Sequence, residues 1–127
     1  MSTELLYKDL SYKIRGILYE AYNYSGPGYR EKYYCQIINE KLHEAKLDFV
    51  EQLEIPIQYK TKILTQRYAD FAIENKIIVE IKVGKRLYQK DFDQLVEYLK
   101  ITNLKLGLIA LFHKNGVDIS RVLNIYQ

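Results

Sequence analysis

Tryptophan is absent from these 127 residues, cysteine and methionine occur once each, proline twice and glycine six times. A lone thiol, Cys35, excludes an internal disulfide, a four-cysteine zinc site and a four-cysteine iron–sulfur cluster carried by one chain, and it reads as a small core residue. With so little proline and glycine, collagen-like and disordered classes are also excluded. No apolar run approaches the ~18 residues of a membrane-crossing helix. The Met1-Ser2-Thr3-Glu4 start lacks the basic-then-apolar layout of a secretory signal. The expectation is therefore a cytoplasmic protein with no membrane partner. A strong excess of charge is missing too: nineteen Lys and Arg against sixteen Asp and Glu give +3. That balance does not by itself identify a nucleic-acid binder, although local clustering can still build a phosphate-facing surface. His43 and His113 have no second histidine or cysteine at ligand spacing, which disfavours zinc. No glycine-rich phosphate loop, nucleophile elbow or Cys/His dyad appears, which disfavours nucleophilic catalysis by a side chain.

What is present fits one domain over residues 1–127, with 48 % hydrophobic and 28 % charged residues. The thirteen tyrosines suit half-buried positions with a wet hydroxyl. Leu6, Leu10, Ile14, Ile17, Leu18 and Ala21 recur at helical spacing over about residues 3–24, and Gly26-Pro27-Gly28 ends that pattern. A second helix follows Gly28, with Tyr34, Ile37, Ile38, Leu42 and Ala45 as its stripe up to about Lys46. Residues 47–59 read as a strand that Pro56 assigns to a sheet edge or a bulge, and 63–74 and 77–83 as two more strands in a meander. Gln89 to Ile101 is helical again. Leu106 to Phe112 is a strand buried on both faces, Asn115-Gly116 a tight turn, and Arg121 to Tyr126 a last short strand. The order α, α, β, β, β, α, β, β describes an α/β fold, a mixed central sheet flanked by helices.

In the third strand Ile77, Val79, Ile81 and Val83 point one way, so Glu80 and Lys82 share the other face. Whether Asp70 joins them depends on one turn. A three-residue loop Glu74-Asn75-Lys76 sets Ile73 opposite Ile77 and Asp70 opposite Glu80, with Cβ atoms ~5 Å apart; a two-residue loop sends Asp70 to the other face. Two carboxylates that close repel and lose solvation, which raises a pKa unless positive charge is near. Lys82 is one source of that charge and a divalent cation another; Mg²⁺ takes a few carboxylate oxygens plus waters and substrate phosphate. An Asp70–Lys82 salt bridge in a purely structural hairpin accounts for the same residues.

Glu31 lies three before Tyr34 and seven before Ile38, on the apolar stripe of the second helix, where an inward acid needs a partner. It also lies three after Gly28, where it suits a helix cap. Gln94 and Tyr98, one turn apart on the third helix, can hold a phosphate or a carboxylate, or can be an exposed amide beside a core-edge phenol. Lys82, Lys85, Arg86 and Lys90 form an acid-free basic run just past the acidic pair, either a phosphate contact or a solvated loop.

Together these pieces resemble the PD-(D/E)xK nuclease superfamily, the RecB-like and Holliday-junction-resolvase-like phosphodiesterases, over about residues 28–126. Residues 28–34, Gly-Tyr-Arg-Glu-Lys-Tyr-Tyr, fit the motif of the small GxxExxY proteins of that superfamily. The further landmarks follow in order: Tyr68-Ala69-Asp70, Ile78-Val79-Glu80-Ile81-Lys82, Gln94-Leu95-Val96-Glu97-Tyr98-Leu99 and Leu104-Lys105-Leu106-Gly107-Leu108. Ala69 departs from the proline of the name-giving pair, at a position that varies widely.

The resemblance implies a restriction-endonuclease-like PD-(D/E)xK core, αβββαβ. It makes Asp70, Glu80 and the Ile81 carbonyl ligands of one or two Mg²⁺ or Mn²⁺ ions, with Glu31 a further acid bound directly or through water. Lys82 orients or activates the attacking water, and Gln94 and Tyr98 help orient the site and the scissile phosphate. The implied activity is metal-dependent hydrolysis of DNA, directed by backbone or structure rather than sequence, in a chain whose tyrosine-rich first helix permits a homodimer. The competing reading is a non-catalytic nucleic-acid- or protein-binding module that kept the fold.

Overall fold

The computed structural model describes residues 6–125. Its elements are α1 (Lys8–Ser25), α2 (Glu31–Glu44), β1 (Phe49–Tyr59), β2 (Lys62–Ile73), β3 (Ile77–Val83), α3 (Gln89–Thr102), β4 (Leu106–His113) and β5 (Gly116–Leu123). The order is the one the hydrophobic periods predict; the starts of α1 and β5 differ by about five residues, and the other boundaries shift less. The first helix begins at Lys8, behind a left-handed Tyr7 (φ 53°); its predicted start at residues 3–5 lies outside the described residues. The last strand begins at Gly116 rather than Arg121, because it pairs with β4 straight from the turn, from His113↔Gly116 to Leu106↔Leu123. Asp118 and Ser120 alternate with Val117 and Ile119 there, so the segment lacks the apolar run of a buried strand. The predicted end at Tyr126 again lies outside the described residues.

The sheet runs β1-β2-β3-β4-β5, antiparallel throughout except for the parallel pair β3–β4, which α3 connects. Helices α1 and α2 cover one face, where Leu18, Tyr34, Ile38 and Leu42 pack with Phe71, Val79, Ile81 and Phe112. The other face is covered by α3 through Leu95, Tyr98 and Leu99 on Ile55, Ala69, Ile78 and Ile109. Lying between both layers, β4 is buried along its length except at His113. Pro56 is on β1, the sheet edge, and a bulge follows between Ile57 and Gln58. Among the described residues no helix is long and apolar enough to cross a membrane.

The hairpin β1–β2 changes layer part-way along. Phe49, Phe71 and Ile73 pack under α1 and α2, whereas Leu53, Ile55 and Ala69 pack under α3. The change falls between the pairs Glu51↔Phe71 and Leu53↔Ala69; Gln52 and Asp70, facing each other at that level, are unpaired. Gln52 adopts φ 57° inside the strand. A strand keeps one set of side chains on one face only while it stays extended, so a left-handed residue there turns the hairpin over.

Gly107 sets how closely α3 approaches β4. A Cβ at this position would lie 2.7–2.8 Å from the Cγ and both Cδ atoms of Leu95, which is fully buried and has nowhere to retreat. Gly107→Ala should lower unfolding free energy by about 1–3 kcal/mol through overpacking. In urea denaturation the double variant with Leu95→Ala should be less destabilised than the sum of the two single changes.

Candidate active site

The β2–β3 turn settles the register. Glu74 and Asn75 are left-handed, the Lys76 N–H donates to the Ile73 carbonyl at 3.0 Å, and Ile73 pairs with Ile77. This is the three-residue loop that sets Asp70 opposite Glu80. The backbone ladder itself stops at Phe71↔Val79. Beyond it side chains replace the ladder: the Asp70 N–H donates to Glu80 Oε2 at 2.7 Å, and the Ile81 N–H donates to Asp70 Oδ2 at 2.7 Å. Each carboxylate thus caps the opposite strand where the strands part.

Glu80 is 5 % exposed, one of two buried polar residues among those described. Burial and then the Asp70 charge push its pKa up to about 8, against the pull of the Asp70 amide and of Lys82. Burial also raises Asp70, the Ile81 N–H lowers it, the Glu31 charge raises it, and Lys82 and the Gln52 carboxamide lower it. Two adjoining, poorly solvated carboxylates call for more positive charge than one lysine supplies. The Ile81 carbonyl leaves its strand on the same side as its N–H and so opens into the same gap. Two carboxylates and a carbonyl are hard oxygen donors that fit Mg²⁺ or Mn²⁺. Among the described residues no three His, Cys, Asp or Glu side chains converge as a ready ligand set; the acids brought together at the fork are Asp70 and Glu80.

Lys82 is a neighbour of the pair but not its salt-bridge partner. Its Nζ is 3.9 Å from Asp91 Oδ1, and no Asp70–Lys82 ion pair within 4.0 Å forms among the described residues. The other oxygen of Asp91, Oδ2, accepts the Tyr88 N–H at 2.9 Å and so caps α3. A cleft of about 550 Å³ opens here, lined by Arg67, Lys82, Lys90, Asp91, Gln94 and Glu97 among others. Arg67 and Glu97 pair across it at 3.2 Å.

Gln94 and Tyr98 part company: Gln94 lines the cleft, whereas Tyr98, 2 % exposed, belongs to the core under α3. Burial and then the nearby Glu80 charge push the Tyr98 phenol up to about 12. Lys85, Arg86 and Lys90 are exposed; the Arg86 guanidinium lies 5.0 Å and the Lys90 ammonium 5.9 Å from the centre of the Tyr88 ring.

Glu31 does not point inward as its spacing from Tyr34 and Ile38 suggests. It is exposed and is the first residue of α2, one turn ahead of the buried stripe. The capping arrangement with Gly28 does not form either, since the N-cap is Arg30 and no side chain caps it. Glu31 instead borders a cavity of about 470 Å³ together with Cys35, Glu51, Gln52 and Asp70. The start of α2 is fixed by Tyr34, whose hydroxyl donates to the Gly26 carbonyl at 2.7 Å and whose ring packs 4.3 Å from that of Phe112. Cys35 is buried as expected, and burial pushes its thiol well up.

Two residues of the site escape sequence reading. Asp91 carries a usable signal, an acid three residues after the helix N-cap; Gln52, a polar residue between Glu51 and Leu53, carries none.

The sign of the pH dependence follows from Glu80. Its folded pKa, about 8, lies above the ordinary 4.5, so the folded chain binds the extra proton between those values. Stability should therefore be greatest at the acid end of that window and fall as pH rises through it, by up to about 1.4 kcal/mol per unit. Raised Asp70 acts in the same direction. In chelator, the melting temperature should be higher at pH 5.5 than at pH 8, and Glu80→Gln should flatten the slope.

No curated protein matches this chain. Among solved structures, "Crystal structure of SSO0001" superposes with a TM-score of 0.54 at 15 % identity, covering 93 % of this chain and 79 % of that one, a likeness of fold. The family model of the PD-(D/E)XK nuclease superfamily matches residues 8–122, from the first turn of α1 through most of β5, with Asp70, Glu80 and Lys82 inside the match. Nucleases of this kind bind nucleic acid and generally use divalent metals such as Mg²⁺. A match of that extent, over a five-stranded mixed sheet with helices on both faces, means that the chain belongs to the PD-(D/E)XK nuclease superfamily.

Proposed function

We propose that the protein is a metal-dependent phosphodiesterase that cuts DNA by recognising its backbone or branched shape rather than its base sequence. The supporting observation is the fork between β2 and β3, where two carboxylates of raised pKa meet near a lysine that lines a cleft. A Mg²⁺ or Mn²⁺ ion held by Asp70, Glu80 and the Ile81 carbonyl supplies Lewis acidity for water and countercharge for the phosphoryl oxygens. Lys82, 26 % exposed and restrained by Asp91, orients the attacking water and steadies the developing nucleophile. From the cleft wall the Gln94 carboxamide hydrogen-bonds the scissile phosphate, while Tyr98, buried in the core under α3 and near the Glu80 charge, helps hold the site in place. Glu31, at the cavity mouth, acts through water. Lys85, Arg86 and Lys90 follow the phosphate chain, and a chain this small has little room for a base-reading subdomain. A homodimer through the exposed Tyr12, Tyr19 and Tyr24 of α1 belongs to the same proposal.

The decisive assay incubates labelled single-stranded, double-stranded, flapped and four-way-junction DNA with the protein in Mg²⁺ and in Mn²⁺. Asp70→Asn and Lys82→Ala should each reduce cleavage by roughly 10²-fold or more, with Lys82→Ala folding as the parent does. Full activity in Lys82→Ala removes its assigned role, and DNA bound but never cut by the parent makes the chain a binding module. Thermal unfolding gives a further check: cation at a hundred times its dissociation constant should add about 2.7 kcal/mol of stability, and Asp70→Asn should lose that gain.

A further inference from the structure

We propose that Gln52 is a positioning residue for Asp70: its left-handed backbone takes Asp70 out of the β1–β2 ladder, and its carboxamide holds the freed carboxylate toward Glu80. The inference rests on the reading of Asp70 as a cation ligand and adds a residue from a strand that the sequence motifs do not reach.

Seven non-glycine residues among those described have positive φ: Tyr7, Lys46, Gln52, Lys60, Glu74, Asn75 and Asn103. Six of them sit at helix ends or turns, and only Gln52 lies inside a strand. Glutamine has no local compensation for that conformation of the kind asparagine or glycine has. Strain of this sort persists where the surroundings enforce it, and it clusters at functional sites.

Nothing in the strand itself accounts for the kink. The register is unchanged across it, Glu51↔Phe71 on one side and Leu53↔Ala69 on the other, so no residue is inserted; the bulge of β1 comes later, at Ile57/Gln58. Gln52 is exposed, so burial of its own side chain does not impose the conformation. The kink turns the hairpin from one layer to the other, and the level at which it does so is that of Asp70. There the β1–β2 pairing is interrupted, and one residue further along β2 the β2–β3 pairing begins.

Gln52 and Asp70 face each other at the unpaired level of the hairpin and line the same cavity as Glu31, and the Gln52 carboxamide is close enough to lower the Asp70 pKa. With the Ile81 N–H on Oδ2, Asp70 is then held from β3 on one side and from β1 on the other. A neutral amide suits this place, since it fixes the carboxylate without supplying the positive charge that a cation brings. Such outer partners of a ligand typically change metal affinity by about 10–100-fold when removed.

The test uses the full chain and Mn²⁺ as probe, with affinity measured by calorimetry or by the free-ion electron paramagnetic resonance signal, and the melting temperature measured in chelator. Gln52→Gly accepts the backbone but lacks the amide. It should melt at or above the parent temperature, yet bind Mn²⁺ roughly 10-fold more weakly. Gln52→Asn, which tolerates the same backbone and keeps a shorter amide, should recover part of that affinity. Unchanged Mn²⁺ affinity in Gln52→Gly overturns the proposal. So does an affinity loss with a lower melting temperature in glycine that asparagine fails to repair while melting like the parent. Asp70→Asn separates the two levels: Mn²⁺ binding that needs Asp70 but ignores Gln52 refutes Gln52 alone, and no Mn²⁺ binding by the parent refutes the cation site and Gln52 together.

Discussion

The crossed hydrogen bonds between β2 and β3 are the interaction on which the site depends. Where two strands separate, their facing amides lose their partners, and an unsatisfied amide at that depth is expensive. Here Glu80 receives the N–H of Asp70 and Asp70 that of Ile81. The fork is therefore closed by the two side chains whose charge makes it useful. This exchange explains why the strands can part inside a packed sheet, and why the acids cannot swing away from one another without exposing backbone.

The same bonds create an electrostatic conflict that the fold leaves in place. Glu80 lies among buried neighbours, with Ile78 on its face of the sheet, and its nearest positive charge, Lys82, divides its attention with Asp91. Apolar packing on both faces is extensive enough to tolerate the conflict: Leu18, Phe71 and Val79 on one side, and Leu95, Leu99 and Ile109 on the other, are fully buried. The fold thus gains its stability from its layers and concentrates its unfavourable charge at one edge of the central strand.

Much of this was legible in the sequence, for identifiable reasons. Apart from Ile78 the residues 77–83 alternate, so the faces of Glu80 and Lys82 follow from the pleat alone. Asp70 needed one further fact, the length of a turn. Only the inward burial expected of Glu31 failed, because helical spacing reports which residues share a stripe and not where the helix begins; Glu31 is on the stripe's line but ahead of its buried part. Gln94 and Tyr98 are one turn apart and look equivalent, yet the sheet covers one and the cleft takes the other. The kink at Gln52 had no sequence signature, since Phe49, Leu53, Ile55 and Ile57 keep one parity while the strand passes from one layer to the other.

One carboxylate, that of Asp91, joins the start of α3 to Lys82. Lysine carries about 2 kcal/mol of rotamer entropy, and a free amine on so long a stem would explore the whole cleft. Asp91 is itself fixed by the helix it caps, so the lysine is referenced to backbone rather than to another mobile side chain. At 3.9 Å the contact is too long for a hydrogen bond. The ammonium is thereby localised while its three donors stay uncommitted to Asp91: a tether that narrows the search volume and still leaves the hand open.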